Sequence, residues 1–531
     1  MSAAKSPDVP GDERVGHDRS VEPGVWRYAR ASRATLVVDG ADYFAHMQDA
    51  MVLARQRIFM IGWDFDTRIH LCFGRRWWQK GWKRGPPKRL GSFIPWLTRK
   101  NPQLEIRILK WSFGALSFLS RGTMVLDLLR WARHKRIDFK FDTAHPIGCS
   151  HHQKIVVIDE RLAVCGGIDM TGGRWDTPEH LPDDKRRHGP GMTRHGPWHD
   201  MSMMMEGDIA VALADLGHAR WHHAAGVDLP RCQPQEESPW PDDLAAQFTD
   251  VEVGIARTRA EHDGLPQVSE IEQLFARQIG AARQFIYAES QYFASRAVCE
   301  AIARRLAQPD PPEVLIINPS TAEGFIEVVA MDNARAELVA AVEALDHNDR
   351  FRIFAPYAAD DVPIYVHAKL LIVDDCVLRV GSANFNNRSM GLDSECDVFI
   401  DCARPGNDHA APAIRAIRHG LLAEHCGISP EEVATLLDRH GSMAGMIEAL
   451  EGQPGARLRR FHPPELNEVE RLLAHRKTLD PERPDEIFAP ATDRRGLFRP
   501  GSLLAWARAK ARKRAERKAQ RKAAARDELR P

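Results

Sequence analysis

Two short stretches of this 531-residue chain hold the residue types that phosphoryl chemistry needs. The first places His152 and Lys154 two residues apart, reaches Asp159 five residues later, and continues into Gly166, Gly167, Ile168 and Asp169. The second places His367 and Lys369 in the same way, reaches Asp374, and continues into Gly381, Ser382, Ala383 and Asn384. In both, the first Gly stands seven positions after the Asp. A histidine titrates near neutral pH, so it serves as nucleophile or as acid/base. A lysine brings a point charge to negatively charged oxygens. On a β-strand residues i and i+2 share a face, which predicts each His beside its Lys. Small residues at Gly166, Gly167, Gly381 and Ser382 let a phosphate approach the backbone, with Asp169 or Asn384 as a polar neighbour. One such segment arises by chance at a surface strand end; two with the same trailing spacing do not.

The elements that must carry these residues recur along the chain. Thr35–Val38 reads as a strand, Tyr43–Ala54 as a helix and Arg57–Trp63 as an apolar strand. Glu105–Trp111 is a second strand, a helix of about a dozen residues follows, and His151–Ile158 is a strand ending at Asp159. Phe285–Ala288, Glu313–Asn318, a helix near Ala330–Leu345 and the strand Tyr365–Val373 repeat that order. His152 to His367 is 215 residues and Glu105 to Glu313 is 208, so an internal duplication is the economical account. The pattern predicts an α/β protein of two α-β-α sandwich halves. Residues 1–34 form a leader, 35–245 and 246–430 the two halves, and 431–531 a helical extension with a basic tail. The break falls in the Pro-rich Pro230–Asp243. Residues 177–199 form a Gly/Pro/His-rich insert of the kind that makes a lid, a binding loop or a disordered segment. Met201–Met205 reads as a core strand, and the Trp-rich Arg75–Lys88 as a surface excursion whose Trp77–Trp82 stretch can dip into lipid.

With these blocks in view, the sequence resembles the phospholipase D superfamily, and within it the phosphatidylcholine-type enzymes. The resemblance rests on His151–Asp159, on GGIDMTGGRWDT (Gly166–Thr177), on PWHDM (Pro197–Met201), on ESQYF (Glu289–Phe293) and on NFNNRSMGLDSECD (Asn384–Asp397). It implies two halves packed pseudo-symmetrically around one active site. It implies His152 as nucleophile, forming a phosphohistidine, and His367 as acid/base. Lys154 and Lys369 would hold the phosphoryl oxygens. Asp159 and Asp374 belong to the catalytic motif by position, and the resemblance makes them structural. Each His needs a carboxylate to orient it. Glu395, 28 residues after His367, stands where the family has one, and Asp200 is its partner in the first half. Trp63-Asp64 and Arg174-Trp175-Asp176 are candidates for lining a headgroup pocket. Such chemistry needs no metal or cofactor, and no metal-ligand cluster stands outside the motifs. Unlike plant and animal members, the chain leaves no room before the first motif for a Ca2+-dependent or phosphoinositide-binding module.

The remaining composition narrows the partners. With 44% apolar and 27% charged residues the chain is of globular type, not a disordered one. Its net charge of zero divides unevenly: from Ala505 onward stand 11 Lys+Arg against 3 Asp+Glu, leaving 62 against 70 before it. A mildly acidic body argues against nucleic acid, while the basic tail, led by Leu503, Leu504 and Trp506, suits an anionic membrane surface. Nine cysteines without a C-x-x-C pair fit a reducing compartment. The N-terminus MSAAKSPDVPGDERVG has no apolar core of a secretory signal, and no stretch is apolar enough to span a bilayer. A cytoplasmic or peripheral-membrane protein is expected; export by a route without an N-terminal signal stays open. Both motifs in one chain suit a monomer. The expected reaction converts a glycerophospholipid to phosphatidate and a headgroup alcohol, with transphosphatidylation when an alcohol replaces water. Rivals are a cardiolipin synthase-type phosphatidyl transfer, a nuclease and a non-enzymatic lipid-binding scaffold; the last predicts loss of a motif His or Lys, and none is lost.

Overall fold

A computed structural model describes residues 22–71, 85–111, 122–189, 193–323, 328–453, 455–476, 480–486 and 496–527. Residues 1–21 of the leader, Cys72 and the Trp77–Trp82 stretch lie outside the described residues. The first half contributes β1 (Arg27–Val38), β2 (Arg57–Gly62), β3 (Glu105–Trp111), β4 (Ile137–Asp142), β5 (Ile155–Ile158), β6 (Leu162–Gly166), β7 (Trp198–His199) and β8 (Met201–Glu206). The second contributes β9 (Phe248–Arg259), β10 (Val268–Ser269), β11 (Phe285–Ser290), β12 (Glu313–Ile317), β13 (Phe351–Pro356), β14 (Tyr365–Val366), β15 (Lys369–Val373), β16 (Val377–Gly381) and β17 (Glu395–Asp401), with β18 (Leu458–Arg460) in the extension.

Sixteen of these form one sheet, in the order β18-β13-β12-β11-β15-β16-β17-β9-β1-β8-β6-β5-β2-β3-β4, with β10 beside β9. The order mirrors about the β1–β9 junction, where Arg27 faces Ile255 and Ala34 faces Phe248. Outward from it, β8, β6, β5, β2, β3 and β4 answer β17, β16, β15, β11, β12 and β13. Both halves carry three parallel strands next to an antiparallel run. Alternation along the strands explains the layers. Phe59, Ile61, Ile155 and Val157 of the first half join Tyr287, Leu370 and Ile372 of the second in one apolar cluster. The intervening Ile58, Met60, Val156 and Ile158 face a first-half cluster with helices Gly40–Leu53 and Leu90–Lys100. Their counterparts Ile286, Ala288, Leu371 and Val373 face a second-half cluster with helices Glu270–Ala281 and Arg296–Leu306. Met201, Met203 and Met205 point to the shared core and Met204 to the other face, as a central strand should.

Several sequence expectations shift. The strand read over His151–Ile158 begins only at Ile155, and the one read over Tyr365–Val373 breaks at His367–Ala368. The backbone just before each motif His leaves its own sheet to pair with the opposite half. A two-stranded parallel sheet joins β14 to β7, Tyr365 facing Trp198 and Val366 facing His199. A parallel bridge joins His151 to Ser394. β1 starts at Arg27, inside the stretch read as leader, because it must reach across to β9. The insert is not a loose lid in its described part. Asp176 Oδ2 accepts from His180 Nδ1 at 2.9 Å, Arg187 at 3.0 Å and the Trp198 backbone at 2.8 Å, stapling its two ends together.

The basic tail forms helix Leu503–Asp527, and its start is not a free anchor. Leu504 and Ala507 are fully buried in the second-half core, and Arg508 donates to Glu337 at 2.6 Å. Those apolar residues pack on helices Arg296–Leu306 and Asn333–Glu343, the latter also covered by helix Glu468–Arg476. Trp506 stays more than half exposed. Among the described residues, no helix is long and apolar enough to cross a membrane.

Candidate active site

The motif acids explain how the strands are set. Asp159 and Asp374 each open a tight turn, with φ of 54° and 55°, and each is followed by a second positive-φ residue. Asp tolerates this left-handed backbone better than most residues. Asp159 accepts from the backbone N–H groups of Arg55, Gln56 and Arg57, where β2 begins. Asp374 accepts in the same way from Arg283, Gln284 and Phe285, where β11 begins. Their carboxylates lie at the far end of β5 and β15 from the histidines, so the catalytic grouping is corrected: these are strand-locking residues.

The histidines are oriented across the halves. His152 Nδ1 lies 3.1 and 3.2 Å from the two oxygens of Glu395 and 3.0 Å from the Ser382 carbonyl. Since all three are acceptors, Nδ1 carries the proton and Nε2 is left with its lone pair. His367 Nδ1 lies 2.6 Å from Asp200 Oδ2. The sequence reading places Glu395 with His367 and Asp200 with the first half; the structure exchanges them. The cause is the inter-half pairing. His152 N–H donates to Ser394 O at 2.9 Å, directly before Glu395, and His367 N–H donates to His199 O at 2.7 Å, directly before Asp200.

The lysines complete one buried cluster. Lys154 Nζ donates to the His152 carbonyl at 2.8 Å and lies 3.1 Å from Asp169 Oδ2. Lys369 Nζ donates to the His367 carbonyl and lies 3.4 Å from Gln291 Oε1. Burial, then Lys154 and Lys369, hold His152 well below its usual value. Burial, then Lys369, Arg174 and Lys154, do the same to His367. Burial lowers Lys369 to about 7, with Lys154 adding to the effect and Asp200 opposing it. Burial pushes Asp200 up to about 7 and Glu395 up to about 8, the latter against hydrogen bonds from Ser382 and Ser389. Two neutral histidines and two lysines therefore share a site awaiting negative charge.

The small residues have a different task from the one expected. A Cβ on Gly167 would fall 2.0 Å from Asp200 Oδ1, and one on Gly381 would fall 2.0 Å from Asp397 Oδ1. At Gly166 it would meet Ser202. These glycines make room for the neighbouring strand and for the carboxylate that orients His367, which corrects the phosphate-approach reading. Ser382 supports the site through its hydroxyl on Glu395. Asp169 Oδ1 accepts from the Trp63 and Asp64 backbones, while Asn384 Oδ1 is buried without a hydrogen bond among the described residues.

Of the aromatic candidates, Trp63 stacks on Trp111 and stands 6.2 Å from the His152 ring, so it borders the site. Trp175 belongs to the first-half core instead. Sequence reasoning missed Trp198 and Tyr365, which stack at 4.8 Å beside His367 and line a cleft with Arg174 and Ser320. It also missed a second cluster. Asp39, His180, His199 and Glu424, with Glu289 and His425, meet in the interior on the far side of Asp200. The expectation that no metal-ligand cluster stands outside the motifs is corrected. These groups come from distant segments, and no ligand spacing in the sequence signals them.

Known proteins supply the comparison. The family model described as Phospholipase D matches residues 118–299 and 348–473. One described as Cardiolipin synthase, PLD-like domain, matches residues 275–410. "Phospholipase D A" of Dictyostelium discoideum is 25% identical over 471 residues, covering 75% of this chain and 36% of that protein. "Phospholipase D alpha 1" of Carica papaya is 24% identical over 524 residues, covering 72% of this chain and 63% of that protein. The chain thus spans between about a third and just under two thirds of the length of these two relatives. Among solved structures, phosphatidylserine synthase of Haemophilus influenzae Rd KW20 superposes with a TM-score of 0.48 at 12% identity, over 80% of this chain and 96% of that one.

Proposed function

The chain belongs to the phospholipase D family, and on that footing we propose that it cleaves a glycerophospholipid to phosphatidate and a free headgroup alcohol through a phosphohistidine. The anionic phosphodiester brings His367 into its imidazolium form, one proton being taken up as substrate binds. Nε2 of His152 then attacks phosphorus, the P–N bond forms, the P–O bond to the headgroup breaks, and His367 gives its Nε2 proton to the departing oxygen. Water then attacks phosphorus, His367 takes one of its protons, and the P–N bond breaks. An alcohol in place of water gives transphosphatidylation. Lys154 and Lys369 hold the phosphoryl oxygens in a site that is dry and needs no reorganisation when charge develops.

The observation that carries this reading is the difference between the two crossed pairs. His152 has its Nδ1 proton fixed by a carbonyl and a carboxylate together, which leaves Nε2 free to attack. His367 faces a single carboxylate at 2.6 Å, the arrangement that stabilises an imidazolium during proton transfer. The phospholipid substrate, a monomeric state and contact with anionic membrane through the exposed part of the basic tail are parts of the same proposal. So is a peripheral location.

Incubation with phosphatidylcholine, phosphatidylglycerol and DNA, with products read by mass, tests it. Phosphatidate with released headgroup supports it, and cleaved DNA or no product overturns it. Cardiolipin formed from phosphatidylglycerol would favour the phosphatidyl-transfer reading, which the match to the cardiolipin synthase model over residues 275–410 keeps in play.

A further inference from the structure

Six titratable side chains with no part in the phosphoryl chemistry meet beneath the segment between β7 and β8 that carries Asp200, five of them buried and Glu424 nearly so. Four of them converge. His180 Nε2 lies 3.6 Å from Asp39 Oδ2 and 3.1 Å from Glu424 Oε1. His199 Nδ1 lies 3.3 Å from Asp39 Oδ1 and 2.7 Å from Glu424 Oε1. Zinc bonds of 2.0–2.1 Å in a tetrahedron put neighbouring ligand atoms about 3.3 Å apart. Three of the four separations lie close to that spacing, and the fourth is shorter.

The other nitrogen of each imidazole is already committed. His180 Nδ1 lies 2.9 Å from Asp176, and His199 Nε2 lies 2.7 Å from Glu289. With a ring proton held on each outer side, the inner nitrogens are free to turn lone pairs to a cation; without one, both rings face the carboxylates as imidazolium, held above the usual histidine range by Asp39, Asp176, Glu289 and Glu424. Either inner ring protons or one cation must therefore stand between imidazoles and carboxylates in this interior, and the hydrogen-bond geometry favours the cation on the His199 side. Consistent with this, His199 Nδ1 and Asp39 Oδ2 are fully buried yet make no hydrogen bond of acceptable geometry among the described residues. A carboxylate behind each ligating histidine is the usual support of a metal site. Glu289 itself is saturated by His199, His425 and the Tyr287 hydroxyl, which assigns it to that outer shell.

We propose that Asp39, His180, His199 and Glu424 bind one divalent transition-metal ion of the Zn2+ class. Two imidazoles and two carboxylates in a closed, four-atom, waterless set suit Zn2+ and lack the six or more oxygens that Ca2+ takes. The ion is structural. It ties the insert, through His180 and His199, to helix Ala411–Cys426 of the second half, through Glu424, and to the residue before helix Gly40–Leu53. Asp39 precedes that helix at φ 63°, ψ 156°, a backbone region costly for any residue but glycine, and its side chain does not cap the helix. His199 lies directly before Asp200 and accepts from the His367 backbone, so the ion fixes the segment that orients one motif histidine.

The test does not depend on catalysis. The full chain, purified without a polyhistidine tag from zinc-supplied cells, should carry about one equivalent of metal by plasma mass spectrometry. Stripping it with a strong chelator should lower the melting temperature by at least about 5 °C, and Zn2+ but not Ca2+ should restore it. The milder His180→Gln and Glu424→Gln variants should each lose the metal while the far-ultraviolet dichroism of the full chain persists. Wild-type protein that is metal-free and whose melting is unmoved by chelator and by Zn2+ overturns the proposal. Stoichiometric metal retained in both variants overturns the site, and restoration by Ca2+ alone overturns the ion class.

Discussion

Asp200 stands 2.6 Å from His367 Nδ1, a carboxylate of the first half clasping the histidine of the second. Its counterpart Glu395 shares His152 with a backbone carbonyl and spends both oxygens on Ser382 and Ser389 as well. The two carboxylates are therefore unequal. Asp200→Asn should lower kcat by about 10^2–10^4, the range for a triad acid whose loss spoils tautomer and charge. Glu395→Gln should cost at least about tenfold less, because the Ser382 carbonyl still fixes the tautomer. Steady-state rates on phosphatidylcholine micelles decide it, and equal losses would remove the proposed division of roles.

His152→Ala and His367→Ala should each reduce turnover by many orders of magnitude while leaving the melting temperature within a few degrees of wild type. Rapid quenching during turnover should place acid-labile phosphate on His152. With a substrate whose leaving group departs without protonation, His367→Ala should accumulate that adduct. A label mapped to His367 would reverse the roles, and a few per cent of residual activity in either variant would speak for another catalyst.

The buried lysine sets the alkaline side of the pH profile. Lys369, lowered to about 7, is charged below that value and loses its charge above it. Since kcat/KM reports the free protein, it should fall as pH rises through about 7 on a soluble short-chain substrate. Bound phosphodiester restores the ammonium, so the corresponding limb of kcat should lie higher. On the acid side His152 is depressed and stays neutral below its ordinary value, so activity should persist at pH 6. Lys369→Arg, which cannot lose its proton, should flatten the alkaline limb at a reduced rate. A wild-type kcat/KM constant from pH 7 to 9 would refute this account.

Removing a strand-locking acid should cost stability rather than chemistry. Asp159→Ala leaves three backbone N–H groups without their acceptor and places Ala in left-handed backbone. A loss of roughly 2–4 kcal/mol in chemical denaturation is expected, with Asn recovering part of it. The rate per folded molecule should stay near wild type. Asp374→Ala should behave alike, somewhat more mildly, since two of its three contacts are exposed.

Because Leu504 and Ala507 are buried, the membrane role of the tail must be tested beyond them. Truncation after Lys510 removes the remaining basic residues but keeps the docked turn. It should abolish sedimentation with anionic vesicles at low salt and leave the melting temperature unchanged, each Lys or Arg being worth roughly 1 kcal/mol at such a surface. Unchanged sedimentation would leave the tail without that function.

The strands and the His/Lys pairs were legible because both are local: an apolar alternation, and two residues two apart. Even so, the His-to-Lys stretch is where the strand reading failed, since His152 and His367 pair with the opposite half before their strands begin. That pairing brings each histidine to a carboxylate 243 or 167 positions away, and nothing in either segment alone encodes it. The same holds for Asp39 and Glu424, whose side chains meet only after four segments fold together. Gly167 misled for another reason: a small residue beside a motif fits a ligand and a close neighbour equally well, and only the position of Asp200 decides.

The continuous sheet and the exchanged carboxylates have a genetic consequence. A lesion at Asp200 is expressed in the chemistry of the second copy, and one at Glu395 in the chemistry of the first. Neither copy can drift alone, be excised, or be replaced by an unmatched homologous half without disabling its neighbour. The two copies act as one unit, so a functional graft from a relative should carry both halves together.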